Sequence, residues 1–107
     1  MLSDITEGGT CPIHGPQSVG SRPAGASPYG ALDMAGNVFE WVEDGYHETY
    51  AGAPIDGSAW PGTDDRHVDR GGSYVTAAKY LRASFRTASQ DGAFVDNDLG
   101  FRCCQTP

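Results

Sequence analysis

The sequence predicts a small, loop-rich fold of short β-strands with little helix. Fifteen Gly and seven Pro stand against 38% hydrophobic residues in a chain of 107, a balance that favours turns over helices. Apolar and polar residues alternate in short bursts, as half-buried strands require. No segment repeats apolar residues convincingly at the helical period. A chain of this length forms one domain at most, with a real but small core.

The elements follow in order. Residues 1–28 are rich in Gly, Pro and Ser and read as an extended or weakly ordered lead-in. From 37 to 42 the chain alternates, with Val38, Glu40 and Val42 on one side and Phe39 and Trp41 on the other, which predicts a strand. The stretch "AGAPIDGSAWPGTD" (51–64) is loop. "VDRGGSYV" (68–75) resumes a strand interrupted by two glycines, the mark of a bulge or a close backbone approach. "YLRASFRTA" (80–88) alternates again: Leu81, Ala83 and Phe85 on one face, Arg82, Ser84 and Arg86 on the other. A polar loop then leads to a last strand, "LGFRCC" (99–104). Short turns or helices fit at 26–36 and 76–81. The sequence contains no internal repeat.

Charge narrows the partners. The formal net charge is −7, and nucleic-acid binding would need a basic face. Residues 33–69 hold nine acids and one base, Arg66, whereas 70–90 hold Arg70, Lys79, Arg82 and Arg86 and no acid. A cation suits the acidic half. No apolar run is long enough to span a bilayer, so no membrane partner is expected. The N-terminus lacks a basic flank followed by an apolar stretch, so no signal peptide is expected in the chain as given. The default location is therefore cytoplasmic, or extracytoplasmic if the N-terminus is truncated. Three cysteines, Cys11, Cys103 and Cys104, allow one disulfide. Adjacent cysteines rarely bridge each other, which leaves Cys11 to Cys103 or Cys104. Three reduced thiols are an equal alternative.

Four motifs occur in one order: "YGALDMAGNVFEW", "RGGS", "LRASFR" and "LGFRC". Together they resemble the C-terminal part of the formylglycine-generating-enzyme family, also called sulfatase-modifying factor domains. The resemblance implies an irregular α+β fold related to C-type lectins. It covers roughly residues 18–104, leaving 1–17 as the lead-in and 18–107 as part of a domain about twice this long in the family.

The resemblance also bears on a carboxylate set between Phe39 and Trp41. Family members bind calcium at the matching stretch, which implies Asp33 and Glu40 as carboxylate ligands and Gly36 and Val38 as carbonyl ligands. Calcium takes six to eight oxygens, and waters complete such a shell. Read from the residues alone, Glu40 equally faces solvent and Asp33 equally stabilises a turn.

Catalytic members oxidise a sulfatase cysteine to formylglycine with two cysteines just after "RGGS", which hold copper. Here that segment, "YVTAAKYLRASFR", contains no cysteine and is shorter. Thr76 and Leu81 stand at the family's offsets. No copper is expected, and the chain is not expected to generate formylglycine. Cys103 stands where some members place a structural disulfide cysteine. Adjacent thiols on a strand point to opposite faces, so Cys103 and Cys104 are poor substitutes for a copper pair. His14, His47 and His67 lie in separate loops without ligand spacing.

Arg70, with Gly71, Gly72 and Ser73, and Arg102 read as structural, since a guanidinium satisfies several loop carbonyls or a carboxylate at once. Arg82, Ser84 and Arg86 are the candidate ligand contacts, for an unidentified protein or small molecule. Tyr46, His47, Tyr50 and Trp60 form either a recognition surface or a loop anchor. The leading expectation is a non-catalytic calcium-binding or accessory module. The alternatives are part of an iron-dependent sulfoxide synthase, a truncated formylglycine-generating oxidase, or a lectin-like display scaffold. A half-domain exposes core surface, so homodimerisation or association with a missing N-terminal half is expected.

Overall fold

The structure is a computed structural model that describes residues 15–89 and 93–105. Its frame is one four-stranded sheet of order β3-β2-β1-β4, built from β1 (Phe39–Gly45), β2 (His67–Arg70), β3 (Thr87–Ser89) and β4 (Leu99–Gly100). The strands are short and irregular, as the composition predicts, and the helical content is two 3₁₀ turns, Pro23–Gly25 and Ala78–Leu81.

β1 forms where Phe39, Trp41 and Val42 supply the aromatic and β-branched residues that fit a pleated surface. It pairs antiparallel with β2, Glu40 opposite Arg70 and Trp41 opposite Asp69, then bulges before Gly45 meets His67. β4 pairs parallel to β1, Phe39 opposite Leu99. β3 runs antiparallel to β2, Val68 opposite Ala88 and Asp69 opposite Thr87. The period of two therefore sorts the sheet. Phe39, Trp41, Asp69, Thr87 and Leu99 share one face, and Glu40, Val68, Arg70, Ala88 and Gly100 share the other.

Three predicted strands are corrected. β2 stops at Arg70 rather than 75 because Gly71 and Gly72 take φ of 93° and 70°, which turns the chain out of the ladder. Residues 80–86 are not a strand: a 3₁₀ turn ends at Leu81, and Phe85 N–H bonds Arg82 O at 2.9 Å. Leu81 and Phe85 are half-buried through turn geometry, Leu81 against Gly72 and Phe85 edge-on to Tyr80, a spacing that mimics alternation. Arg82, Ser84 and Arg86 consequently do not share a strand face. β4 ends at Gly100, short of the predicted 104. The predicted turn or helix at 76–81 is present as the second 3₁₀ turn. Over 26–36 the chain makes a turn, Ser27 N–H bonding Ala31 O at 2.8 Å.

Burial is sparse. Among the described residues Val68 is the one fully buried large side chain, and Asp69 and Ser73 are each 4% exposed. Val19, Ile55, Val95 and Phe101 project into solvent. The long loop after β1 is held through backbone: Gly45 N–H bonds Trp60 O, Asp44 Oδ1 accepts Trp60 N–H at 2.8 Å, and His47 stacks on Trp60 with centroids 3.7 Å apart. No helix among the described residues is long and apolar enough to cross a membrane.

Candidate functional site

The loop entering β1 is bent by three left-handed residues, Asp33 (φ 55°), Gly36 (81°) and Asn37 (72°). Asp and Asn tolerate that region better than other side-chain-bearing residues. Each is pinned. Asp33 Oδ2 accepts Gly20 N–H at 2.7 Å. Asn37 pairs with Gln17 twice, accepting its N–H at 2.7 Å and donating to its carbonyl at 3.2 Å. Gly36 N–H bonds Gly71 O at 2.7 Å, and Asn37 O accepts Tyr74 N–H. The bend thus ties the 17–20 segment to the glycine pair.

Arg102, just past β4, closes this loop. Its Nε and Nη2 grip the two oxygens of Glu40 at 2.6 and 2.7 Å, Nη1 donates to Leu32 O at 2.8 Å, and Nη2 reaches Asp33 O at 3.0 Å. The Glu40 hydrogen bond, then its charge, raises the guanidinium pKa above its ordinary value. Glu40, between two aromatics in sequence, sits on the face opposite Phe39 and Trp41, in a hollow of about 470 Å³ lined also by Gly20, Leu32, Asp33 and Val38.

Of the four expected calcium ligands, Asp33, Val38 and Glu40 line that hollow and Gly36 does not, and the donors fit in type. Asp33 and Glu40 are hard carboxylates, and among the described residues neither Gly36 O nor Val38 O is taken by a hydrogen bond. Arg102 occupies two of the roughly four lone-pair positions of the Glu40 carboxylate, leaving about two. No cluster of three His, Cys, Asp or Glu with metal-holding geometry exists among the described residues, so the carbonyls and water would supply most of a shell.

The segment after the glycine pair is closed on itself. Thr76 Oγ1 accepts Ser73 N–H at 2.8 Å and donates to Ser73 O at 3.0 Å. Ser73 Oγ donates to Asp98 Oδ2 at 2.7 Å. Leu81 lies on Gly72, where an added Cβ would stand 2.4 Å from Leu81 Cδ2. The positions at the family's cysteine offsets therefore hold a turn-capping hydroxyl and a packed methyl.

Arg70 and Arg86 meet at Tyr50, whereas Arg82 turns away and donates from Nε to Lys79 O at 2.9 Å. Ser84 takes part through its carbonyl, which accepts the Tyr50 hydroxyl at 2.8 Å. His67 meets Trp41 edge-on, and His14 lies outside the described residues. Cys103 and Cys104 are free and exposed; Cys11, and with it the Cys11–Cys103 pairing, falls outside the described residues.

One feature was not legible in the sequence. On the aromatic face, Asp69, Asp96 and Asp98 line a hollow of about 530 Å³ with Phe39, Thr87, Phe94 and Leu99. Asp69 comes from β2, and Asp96 and Asp98 come from the loop before β4, so no local spacing links Asp69 to the other two.

Comparison with known proteins agrees with this architecture. Residues 12–107 match the family model of the sulfatase-modifying factor enzyme 1-like domain. The chain is 39% identical over 83 residues to serine/threonine-protein kinase pkn1 of Chlamydia caviae, covering 75% of this chain and 13% of that protein. It is 38% identical over 86 residues to the formylglycine-generating enzyme of Streptomyces coelicolor, covering 77% of this chain and 26% of that one. The structure of PvdO from Pseudomonas aeruginosa superposes with a TM-score of 0.72 at 33% identity, over 84% of this chain and 34% of that one. The chain thus spans only a minor part of each. With the family model matching most of its length and the fold shared, the chain belongs to the sulfatase-modifying factor, or formylglycine-generating-enzyme, domain family.

Proposed function

We propose that the chain is a non-catalytic binding module of this family. The observation that carries the reading is the closed segment after Ser73. Copper chemistry needs soft thiolates free to converge on one ion. Thr76 spends its hydroxyl on the Ser73 backbone, and Leu81 is packed against Gly72. The match to a short part of a protein kinase is compatible with a domain carried as a module. The purified chain is expected to leave a sulfatase-type cysteine peptide unchanged in the presence of Cu(I) and oxygen. Mass spectrometry of that peptide checks it, and appearance of formylglycine overturns the reading.

Calcium is the proposed cofactor of the Asp33–Glu40 hollow, held by those carboxylates and the Gly36 and Val38 carbonyls. Its role is structural, offsetting the repulsion of two carboxylates and fixing the bent loop. At about a hundredfold excess over the dissociation constant, an ion bound only by the folded state adds roughly 2.7 kcal/mol. For a domain near this size the melting midpoint then rises by on the order of ten degrees. Asp33→Asn is the sharper variant for this test. It keeps an acceptor for Gly20 N–H while removing the charge, whereas any change at Glu40 also disturbs Arg102. A calcium-dependent shift that shrinks in Asp33→Asn supports the site, and a melt indifferent to calcium and chelator removes it.

The partner we propose is a polypeptide supplying the rest of the domain. Sparse burial and the exposed Val19, Val95 and Phe101 support this, and the chain covers only 34% of the PvdO chain. Size-exclusion chromatography with and without the remaining family segment tests it, and a monomer indifferent to that segment argues against it.

A further inference from the structure

Two arginines converge on one tyrosine, and among the described residues no ion pair holds either of them. The Arg86 guanidinium carbon lies 4.0 Å from the Tyr50 ring centroid and 5.8 Å from that of Tyr46. Arg70 approaches Tyr50 from its edge, donating from Nη2 to the hydroxyl at 3.2 Å and from Nη1 to Ala83 O at 2.9 Å. The neighbouring cation is different. Arg66, 5.0 Å above Tyr46, is neutralised by Asp64 at 2.7 Å. The ion pairs among the described residues are that one and Arg102–Glu40, so within that set neither Arg70 nor Arg86 has an acidic partner.

Loop anchoring accounts for part of this arrangement. The Tyr50 hydroxyl on Ser84 O fastens the loop after β1 to the 82–86 turn. It does not account for the second cation. Two guanidiniums held against a single side chain repel each other, and an exposed ring face returns only about 0.5–1 kcal/mol. Stacking also uses a guanidinium's face and leaves its N–H edge unspent. Arg86 makes no hydrogen bond among the described residues, and both arginines are only partly buried. The group that would neutralise both charges and accept from both edges is an oxyanion, whose geometry the planar fork matches.

We propose that Arg70 and Arg86, on the Tyr50 platform, form a binding site for the oxyanion of a small ligand, a carboxylate or a phosphate. The site requires neither calcium nor the absence of catalysis, so it stands apart from the reading above. It also places the anionic contact on a chain of net charge −7, whose acidic remainder disfavours anions away from the arginine pair.

The test is an NMR titration of the ¹⁵N-labelled chain with inorganic phosphate and, separately, succinate, at constant ionic strength. The arginine Nε–Hε signals and the backbone amides of 46–50 and 82–86 are followed. Saturable shifts confined to Arg70, Arg86 and their neighbours are expected, with affinity falling at least about tenfold in Arg86→Gln, a change equal to about 1.4 kcal/mol. Tyr50→Phe keeps the ring beneath Arg86 but removes the hydroxyl that holds Arg70 Nη2, leaving Arg70 only its Ala83 O bond, and a several-fold loss is expected. It serves as the deciding variant if Arg86→Gln does not fold. Tighter binding of phosphate assigns the ligand class to phosphates, and tighter binding of succinate assigns it to carboxylates. Linear shifts spread over Arg22, Lys79 and Arg82 overturn the proposal. So does an affinity unchanged in the folded variant, or no shift at Arg70 and Arg86 with either probe.

Discussion

Gly45→Ala is expected to destabilise the fold by more than about 3 kcal/mol, beyond the usual range for an added methyl in a packed site. A Cβ at Gly45 would stand 2.1 Å from both Cα and N of Gly62. Those are backbone atoms, which cannot rotate aside as a side chain can. The contact is reciprocal, since a Cβ at Gly62 would meet Gly45 Cα at 2.8 Å. Neither glycine has positive φ, so the requirement is close approach and not conformation. Relief would separate the end of β1 from the 60–62 segment. The Gly45 N–H to Trp60 O bond, the Asp44 contact and the His47–Trp60 stack would then be lost together. Domains hold only about 5–15 kcal/mol in total, so a large unfolded fraction at room temperature is the expected readout in a urea titration. Gly15→Ala, where the new methyl meets nothing within 4 Å, is the control and stays within about 0.5 kcal/mol of the parent. A Gly45→Ala midpoint close to that control would refute the close-packed backbone contact.

Arg102→Met is expected to cost about 2–3 kcal/mol. The substitution keeps most of the stem volume and removes every donor, stranding the Glu40 carboxylate and the carbonyls of Leu32 and Asp33. Breaking a fully buried pair costs about 3–5 kcal/mol. With the two side chains 33% and 23% exposed, water reaches the stranded groups and the loss is smaller. Arg102→Lys restores the charge without the fork and is expected to recover less than half, because a compact ammonium cannot serve Glu40 and two carbonyls in one plane. A double-mutant cycle with Glu40→Gln isolates the pair, with an expected coupling of about 1–2 kcal/mol. Additive single effects would mean that Arg102 acts through the Leu32 and Asp33 carbonyls alone.

The Glu40–Arg102 bond also shows where local reading succeeds and where it stops. The alternation over 37–42 announces β1, because strand formation there depends on a period that neighbouring residues write themselves. The same alternation over 80–88 misleads. Turn geometry brings Leu81 and Phe85 to half-buried positions as one face of a strand would, and the pattern does not distinguish the two. The glycine pair signalled a break at the end of β2 but not whether it would be a bulge or the end of pairing. Its two positive φ values decide that.

By itself the sequence determined the class of fold, the family, the place of the first strand and the want of thiols in the segment 74–86 that follows the glycine pair. Those properties are carried by composition, by short periods and by residue identity. Only the tertiary structure decided what meets what. It put Arg102 on Glu40, 62 residues away, gathered three aspartates from two distant segments into one hollow, and brought Arg70 and Arg86 to the same tyrosine. Strand register and loop closure set those contacts, and both depend on which distant segments lie side by side. No local spacing encodes that choice.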